Sequence, residues 1–250
     1  MKTTAALIAC AAAGAILLSS CASSNEKTLT KVFVGPPWTA NESSEYNLVI
    51  ENDELYGTCT LETKLNDSGT NTRLNRLCGD GENRDDGTVV VEAATLKPIE
   101  SQRTSQRKDS TVSFTSTYHE STVTFVSDEN GKTRQTERDL PQPDSNSPNP
   151  GYYDDESLLW LVRGIELREG YEGTYQNISA GTGQTFWVQL KVEKQERVKV
   201  PAGEFTAWKV RISTGTVTQF AWVDVQSPNR LVQARINGVQ DVPYKLVRTQ

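Results

Sequence analysis

From Tyr46 onward, apolar residues recur at every second position, a period that points to strands and away from amphipathic helices. Val112, Phe114 and Tyr118 share one parity with small polar residues between them, and Val123 and Phe125 repeat the pattern. Phe186, Val188, Leu190 and Val192 alternate with Trp187, Gln189 and Lys191. Trp208, Val210 and Ile212 alternate with Lys209 and Arg211, Phe220 and Trp222 with Ala221 and Val223, and Tyr244 and Leu246 with Lys245 and Val247. Such segments have one wet face and one buried face. Turn chemistry separates them at Asp86-Gly87, Asn130-Gly131, Pro201-Ala202-Gly203, Thr214-Gly215, Pro228-Asn229 and Asn237-Gly238. Asn130-Gly131 is the strongest hairpin signal, because both residues tolerate positive φ.

One segment departs from the alternation. Asp154-Asp155-Glu156-Ser157 precedes Leu158-Leu159-Trp160-Leu161-Val162-Arg163-Gly164. The acidic start suits the helix dipole, Asp154 can cap, and Arg163-Gly164 supplies an end. This predicts a short, buried helix near 154–164. Pro141 to Gly151, with prolines at 141, 143, 148 and 150, reads as an exposed loop. The fold class is therefore all-β, mainly antiparallel, as a strongly curved sheet or barrel-like body with one short helix. A sheet with one apolar face must cover it by closing on itself, curling over the helix or wrapping a ligand.

Charge and composition narrow the function. The chain has 250 residues and a net charge of −6. It has no electrostatic grip on a phosphate backbone, so no nucleic-acid partner is expected. One His leaves little material for metal sites or His-based catalysis. No P-loop, dinucleotide fingerprint or nucleophile elbow is present, so no cofactor, metal or catalytic residue is assigned.

The N-terminus carries an address. Lys2 is followed by an uncharged apolar run from Ala5 to Leu18, too short for a span of about 20 residues and suited to a secretory signal. Leu18-Ser19-Ser20-Cys21 then resembles the bacterial lipoprotein signal. The resemblance implies cleavage before Cys21 and lipid on that residue, with two or more acyl chains giving stable anchorage. The expected organisation is a signal peptide over 1–20, a lipidated N-terminus and flexible linker over 21–44, and a single β-rich domain over 45–250. The body would sit in the cell envelope, at the outer membrane if the organism has two.

Cys59 and Cys78 remain, an even pair in an exported chain where disulfides persist. A hairpin that opposes them turns between residues 68 and 69, inside Asp67-Ser68-Gly69-Thr70, which is good turn chemistry. Directly opposed residues lie close enough to bridge. The pair is predicted to be a cross-strand disulfide.

The C-terminal half adds a family likeness. Asp154 to Gly170 is followed by Val198-Lys199-Val200-Pro201-Ala202-Gly203-Glu204-Phe205, then Trp222-Val223, Arg230-Leu231-Val232 and Tyr244-Lys245-Leu246. This order resembles the bacterial family known as domain of unknown function 3108. The resemblance implies an exported, β-rich, envelope-facing protein without an established activity. A looser likeness of architecture links it to half-barrel lipoprotein carriers that curl a sheet around acyl chains.

Three readings follow. The leading one is a membrane-tethered, non-enzymatic β-domain that binds an envelope protein or an apolar ligand, with Trp208, Trp222, Phe205, Phe220 and Tyr244 as candidate lining. The second is a lipid or lipoprotein carrier with a half-barrel cavity. The third is an envelope hydrolase, whose candidates are His119 and the carboxylates at Asp154, Asp155 and Glu156; capping is the blander role for those acids.

Overall fold

The computed structural model describes residues 29–50, 53–142, 151–215, 217–236 and 243–249. The signal over 1–20, Cys21, the Asn237-Gly238 turn and most of the proline-rich loop lie outside them.

The described chain is mostly strand. The first meander comprises β1 (Asn41–Val49), β2 (Leu55–Leu65), β3 (Asn71–Gly79), β4 (Arg84–Glu92), β5 (Pro98–Arg107), β6 (Ser110–Tyr118), β7 (Thr122–Glu129) and β8 (Lys132–Asp139). A short β9 (Tyr152–Asp154) leads into a single 3₁₀ turn over Asp155–Ser157 and α1 (Leu158–Leu161). The second meander comprises β10 (Glu172–Ile178), β11 (Thr185–Val200), β12 (Gly203–Thr214), β13 (Val217–Asp224), β14 (Leu231–Arg235) and β15 (Pro243–Thr249). All fifteen form one sheet in the order β8-β7-β6-β5-β4-β3-β2-β1-β15-β14-β13-β12-β11-β10-β9. Neighbours are antiparallel except β9 and β10. The first and last strands pair with each other at the middle, so each meander runs outward from that seam.

Local chemistry accounts for the strand boundaries. Asn130 (φ 52°) and Gly131 (φ 85°) make the β7–β8 turn with the positive angles that a tight hairpin requires. The β2–β3 turn is held by the Asn66 side chain, whose Oδ1 accepts from the amides of Thr70 and Asn71. This turn places Cys59 opposite Cys78, and the two form a disulfide with Cα atoms 4.1 Å apart. At the free edge, every residue of β8 is exposed, and its sequence KTRQTERD is polar and charged throughout. Such an edge resists pairing with other chains.

The sheet curls without closing by backbone hydrogen bonds. Its outer parts meet through side chains. The Tyr118 hydroxyl on β6 donates to Asp154 Oδ2 on β9 at 2.5 Å. A small second core of Tyr118, Val123, Phe125, Leu140, Tyr152 and Ile178 spans the same junction. Gly183, in the β10–β11 turn, packs against Phe125 so closely that a Cβ would lie 2.5 Å from the ring.

The helical segment plugs the interior. Asp154 caps it as expected, Oδ1 accepting from the Glu156 amide at 2.8 Å. Trp160 is fully buried and its indole N–H donates to Thr63 Oγ1 at 2.9 Å. Arg163 ends the plug, pairing with Glu42 and donating to the carbonyls of Pro228 and Asn229.

Two expectations are corrected. The flexible linker does not reach residue 44. Val32 and Phe33 are buried in the main core, the Val34 amide donates to the Gly164 carbonyl at 2.8 Å, and β1 begins at Asn41. Gly164 admits this segment, since a Cβ there would lie 2.2 Å from the Phe33 ring. The second correction concerns parity on β13. Gln219, Ala221 and Val223 face inward and are buried, which places Phe220 and Trp222 on the outer face. There they flank Lys209, whose Nζ lies 4.4 Å from the Phe220 centroid.

Candidate functional site

Above the plug, the barrel encloses a cavity of about 260 Å³. Its floor is formed by Asp155, Glu156, Leu158 and Leu159 from the plug. One wall is apolar, with Leu48, Val188, Ile212, Ile236 and Tyr244. The facing wall, from β3, β4 and β5, is charged, with Arg76, Asp85, Arg103 and Arg107. Period-two alternation places the strand residues among them inward, and the exposed lining residues Arg84 and Phe186 mark the mouth. A second hollow between Pro36, Trp38, Leu65 and Ala93 is lined by no charged side chain.

The charged wall is organised around the plug. Arg76 bridges Asp85 at 2.8 Å and Glu156 at 3.1 Å. Arg103 pairs with Asp85 at 2.9 Å and approaches Glu156 at 3.8 Å. Asp86-Gly87, expected as a turn, lies inside β4 instead. A Cβ at residue 87 would sit 1.8 Å from Glu156 Oε2. That glycine therefore clears space for a buried carboxylate and makes no turn. Burial raises the pKa of the Asp85 carboxyl, but the Arg103 hydrogen bonds and the Arg76 charge outweigh it and hold the group below the usual carboxylate range. Burial disfavours the Arg76 charge, and Glu156 and Asp85 more than restore it.

Three polar side chains on the lining have no partner. The Tyr175 hydroxyl, Asn177 Nδ2 and Gln219 Oε1 are buried and unbonded. Their residues are 0%, 2% and 8% exposed. An unmet buried polar group costs on the order of 1–3 kcal/mol, which a ligand atom or an ordered water offsets.

The acids beneath the cavity have shifted titrations. Burial raises the Asp154 carboxyl from 3.8 to about 6, partly opposed by the hydrogen bonds it accepts from the Tyr118 hydroxyl and the Glu156 amide. Burial, then the neighbouring acids, push Asp155 up as well. A folded pKa above the unfolded value contributes stability below about pH 4 that is lost as pH rises through 6. For Asp154 the difference is on the order of 3 kcal/mol. Asp154→Asn keeps an oxygen for the Glu156 amide, turns an amide N–H toward the Tyr118 oxygen, and cannot ionise. Thermal melts from pH 4 to 7 should show the variant gaining on the wild type as pH rises. A pH-independent gap between the two would contradict this assignment.

The sequence candidates scatter around this site. Tyr244 lines the cavity. Phe205 and Trp208 are half-buried against the core, on the part of β12 away from the cavity, whose lining there is Ile212 and Thr214. Phe220 and Trp222 are on the outer face. Cys78 lies in the cavity wall, and Cys21 falls outside the described residues. The ring of His119 contacts the Thr124 hydroxyl in the exposed β6–β7 turn, whereas Asp155 accepts from the Ala180 amide. Arg76, Arg103, Arg107, Tyr175, Asn177 and Gln219 escaped sequence reasoning. The available signal was their inward parity on strands whose other face is wet.

Together these features define a class of protein: an incompletely closed, internally plugged β-barrel with a small-molecule-sized interior. The chain belongs to the family of proteins of unknown function DUF3108, whose model matches residues 62–241. Among solved structures it is similar to a β-barrel-like protein of domain of unknown function DUF1849 from Brucella abortus. That likeness has a TM-score of 0.51 and 11% identity, covers 84% of this chain and 97% of the other, and concerns the fold alone. A Bacteroides fragilis protein with a YmcC-like fold aligns over 88% of this chain and 99% of its own, at 12% identity and a TM-score of 0.27. No curated protein matches the chain. No helix among the described residues is long and apolar enough to cross a membrane.

Proposed function

We propose that this protein is a membrane-tethered binding protein of the cell envelope, held by lipid on Cys21, whose curled sheet takes an apolar ligand into its interior without catalysing a reaction. The observation that carries this reading is the cavity of about 260 Å³ between plug and mouth, with one wall mainly aliphatic and aromatic. A void of this size in a folded core forfeits packing, and a ligand restores it. A protein partner is the second reading, supported by the outer-face pair Phe220 and Trp222 around Lys209.

Residues 22–250 contain every described element of the single sheet and its core. Exported behind a cleavable secretion signal, purified without detergent and examined by native mass spectrometry, that chain should carry a reproducible bound mass of lipid size. A clean unliganded mass, unchanged after incubation with extracted envelope lipid, would rule out the container and leave the outer face as the binding surface.

A further inference from the structure

The lining says more about the occupant than that it is apolar. Among the described residues, three of the four arginines on the cavity wall are paired: Arg76 and Arg103 with Asp85, and Arg84 with Asp86. Arg107 lines the same wall, is half-buried at the end of β5 beside the mouth, and makes no ion pair. An unpaired guanidinium at the entrance of a low-dielectric cavity favours an anion. Tyr175 and Asn177, two residues apart on the inner face of β10, hold two unmet hydrogen-bond donors. An ester or amide carbonyl satisfies such donors. The volume of about 260 Å³ falls just below the usual range for small-molecule sites, too small for two acyl chains.

Resting on the container reading above, we infer that the cavity takes a single-chain anionic amphiphile. Its acyl chain lies along Leu48, Val188, Ile212 and Ile236. A carbonyl linkage meets Tyr175 and Asn177, and a carboxylate or phosphate head meets Arg107 at the mouth.

Four probes test this on residues 22–250 by tryptophan fluorescence and calorimetry: lysophosphatidylglycerol, N-palmitoylglycine, monopalmitoylglycerol and hexadecanol. The two anionic probes should bind one to one and at least tenfold more tightly than monopalmitoylglycerol, with hexadecanol weakest. Arg107→Gln should abolish the preference for anions and leave monopalmitoylglycerol unchanged, whereas Arg107→Lys should keep it. Asn177→Leu should weaken the three carbonyl-bearing probes and spare hexadecanol. Binding by only one anionic probe supports the inference and identifies the head as phosphate or carboxylate. Equal binding of charged and neutral probes, unaltered by Arg107→Gln in a variant with wild-type melting temperature, overturns the inference and leaves the container standing. No binding by any of the four overturns the inference, and the incubation with envelope lipid then decides the container.

Discussion

An Arg76→Leu variant should melt roughly 10 °C below the wild type. Arg76 joins Asp85 of β4 to Glu156 of the plug more closely than Arg103 does, at 2.8 and 3.1 Å. The Glu156 side chain is 4% exposed. Without Arg76, its nearest remaining cation is Arg103 at 3.8 Å. Breaking a buried pair by removing one partner costs about 3–5 kcal/mol, because the other charge stays desolvated. A domain of this size loses about 2–4 °C for each kcal/mol. The double variant Arg76→Leu with Glu156→Leu removes the stranded charge and should recover more than half of the loss. A single variant that melts within 2 °C of the wild type would show that the plug is held by its apolar contacts alone. Recovery in the double variant would show instead that the ion pairs choose the plug's position more than they stabilise it.

Loss of the Cys59–Cys78 bridge should lower the melting temperature by several degrees. The bridged residues are 19 apart in sequence, and closing a loop of that length removes about 3 kcal/mol of entropy from the unfolded chain. Both cysteines are buried, so a reductant reaches them only when the β2–β3 hairpin opens, and reduction should be slow in the native state. The double variant Cys59→Ala with Cys78→Ala avoids that kinetic barrier and avoids burying a new hydroxyl. Its melting temperature, read beside that of the fully reduced wild type, checks the prediction. Equal values for the double variant and the oxidised wild type would mean that the bridge adds nothing to stability. Cys78 also belongs to the cavity wall, so probe binding by the same variant reports whether the staple shapes the site.

Much of this architecture is legible in the chain because its determinants are local. Period-two alternation produces strands, Asn130-Gly131 produces a hairpin, and Asp67-Ser68-Gly69-Thr70 sets the register that opposes the two cysteines. Asp154 and the apolar run behind it produce the capped plug. Those features act within a few residues or across one turn. What failed locally is equally specific. Phe220-Ala221-Trp222-Val223 is apolar on both parities, so alternation cannot choose a face, and side-chain size suggests the wrong one. Inside, Ala221 pairs with Val210 on one side and Ala234 on the other. The small row leaves room for a plug and a cavity, whereas two large rings would fill it. Gly87 reads as a turn because Asp-Gly is turn chemistry; only the carboxylate of Glu156, nearly seventy residues away, explains the missing side chain.

The sequence by itself therefore determined the strands, most of their turns, the capped segment and the disulfide, since each depends on neighbours in the chain or on one hairpin register. Only the tertiary structure decided that the plug enters the barrel, that Val32 and Phe33 dock on it, and that Arg76, Asp85, Arg103 and Glu156 converge on one wall. Those contacts join residues far apart in the chain. Their energy comes from desolvation and shape, which no local pattern of apolar and polar residues encodes.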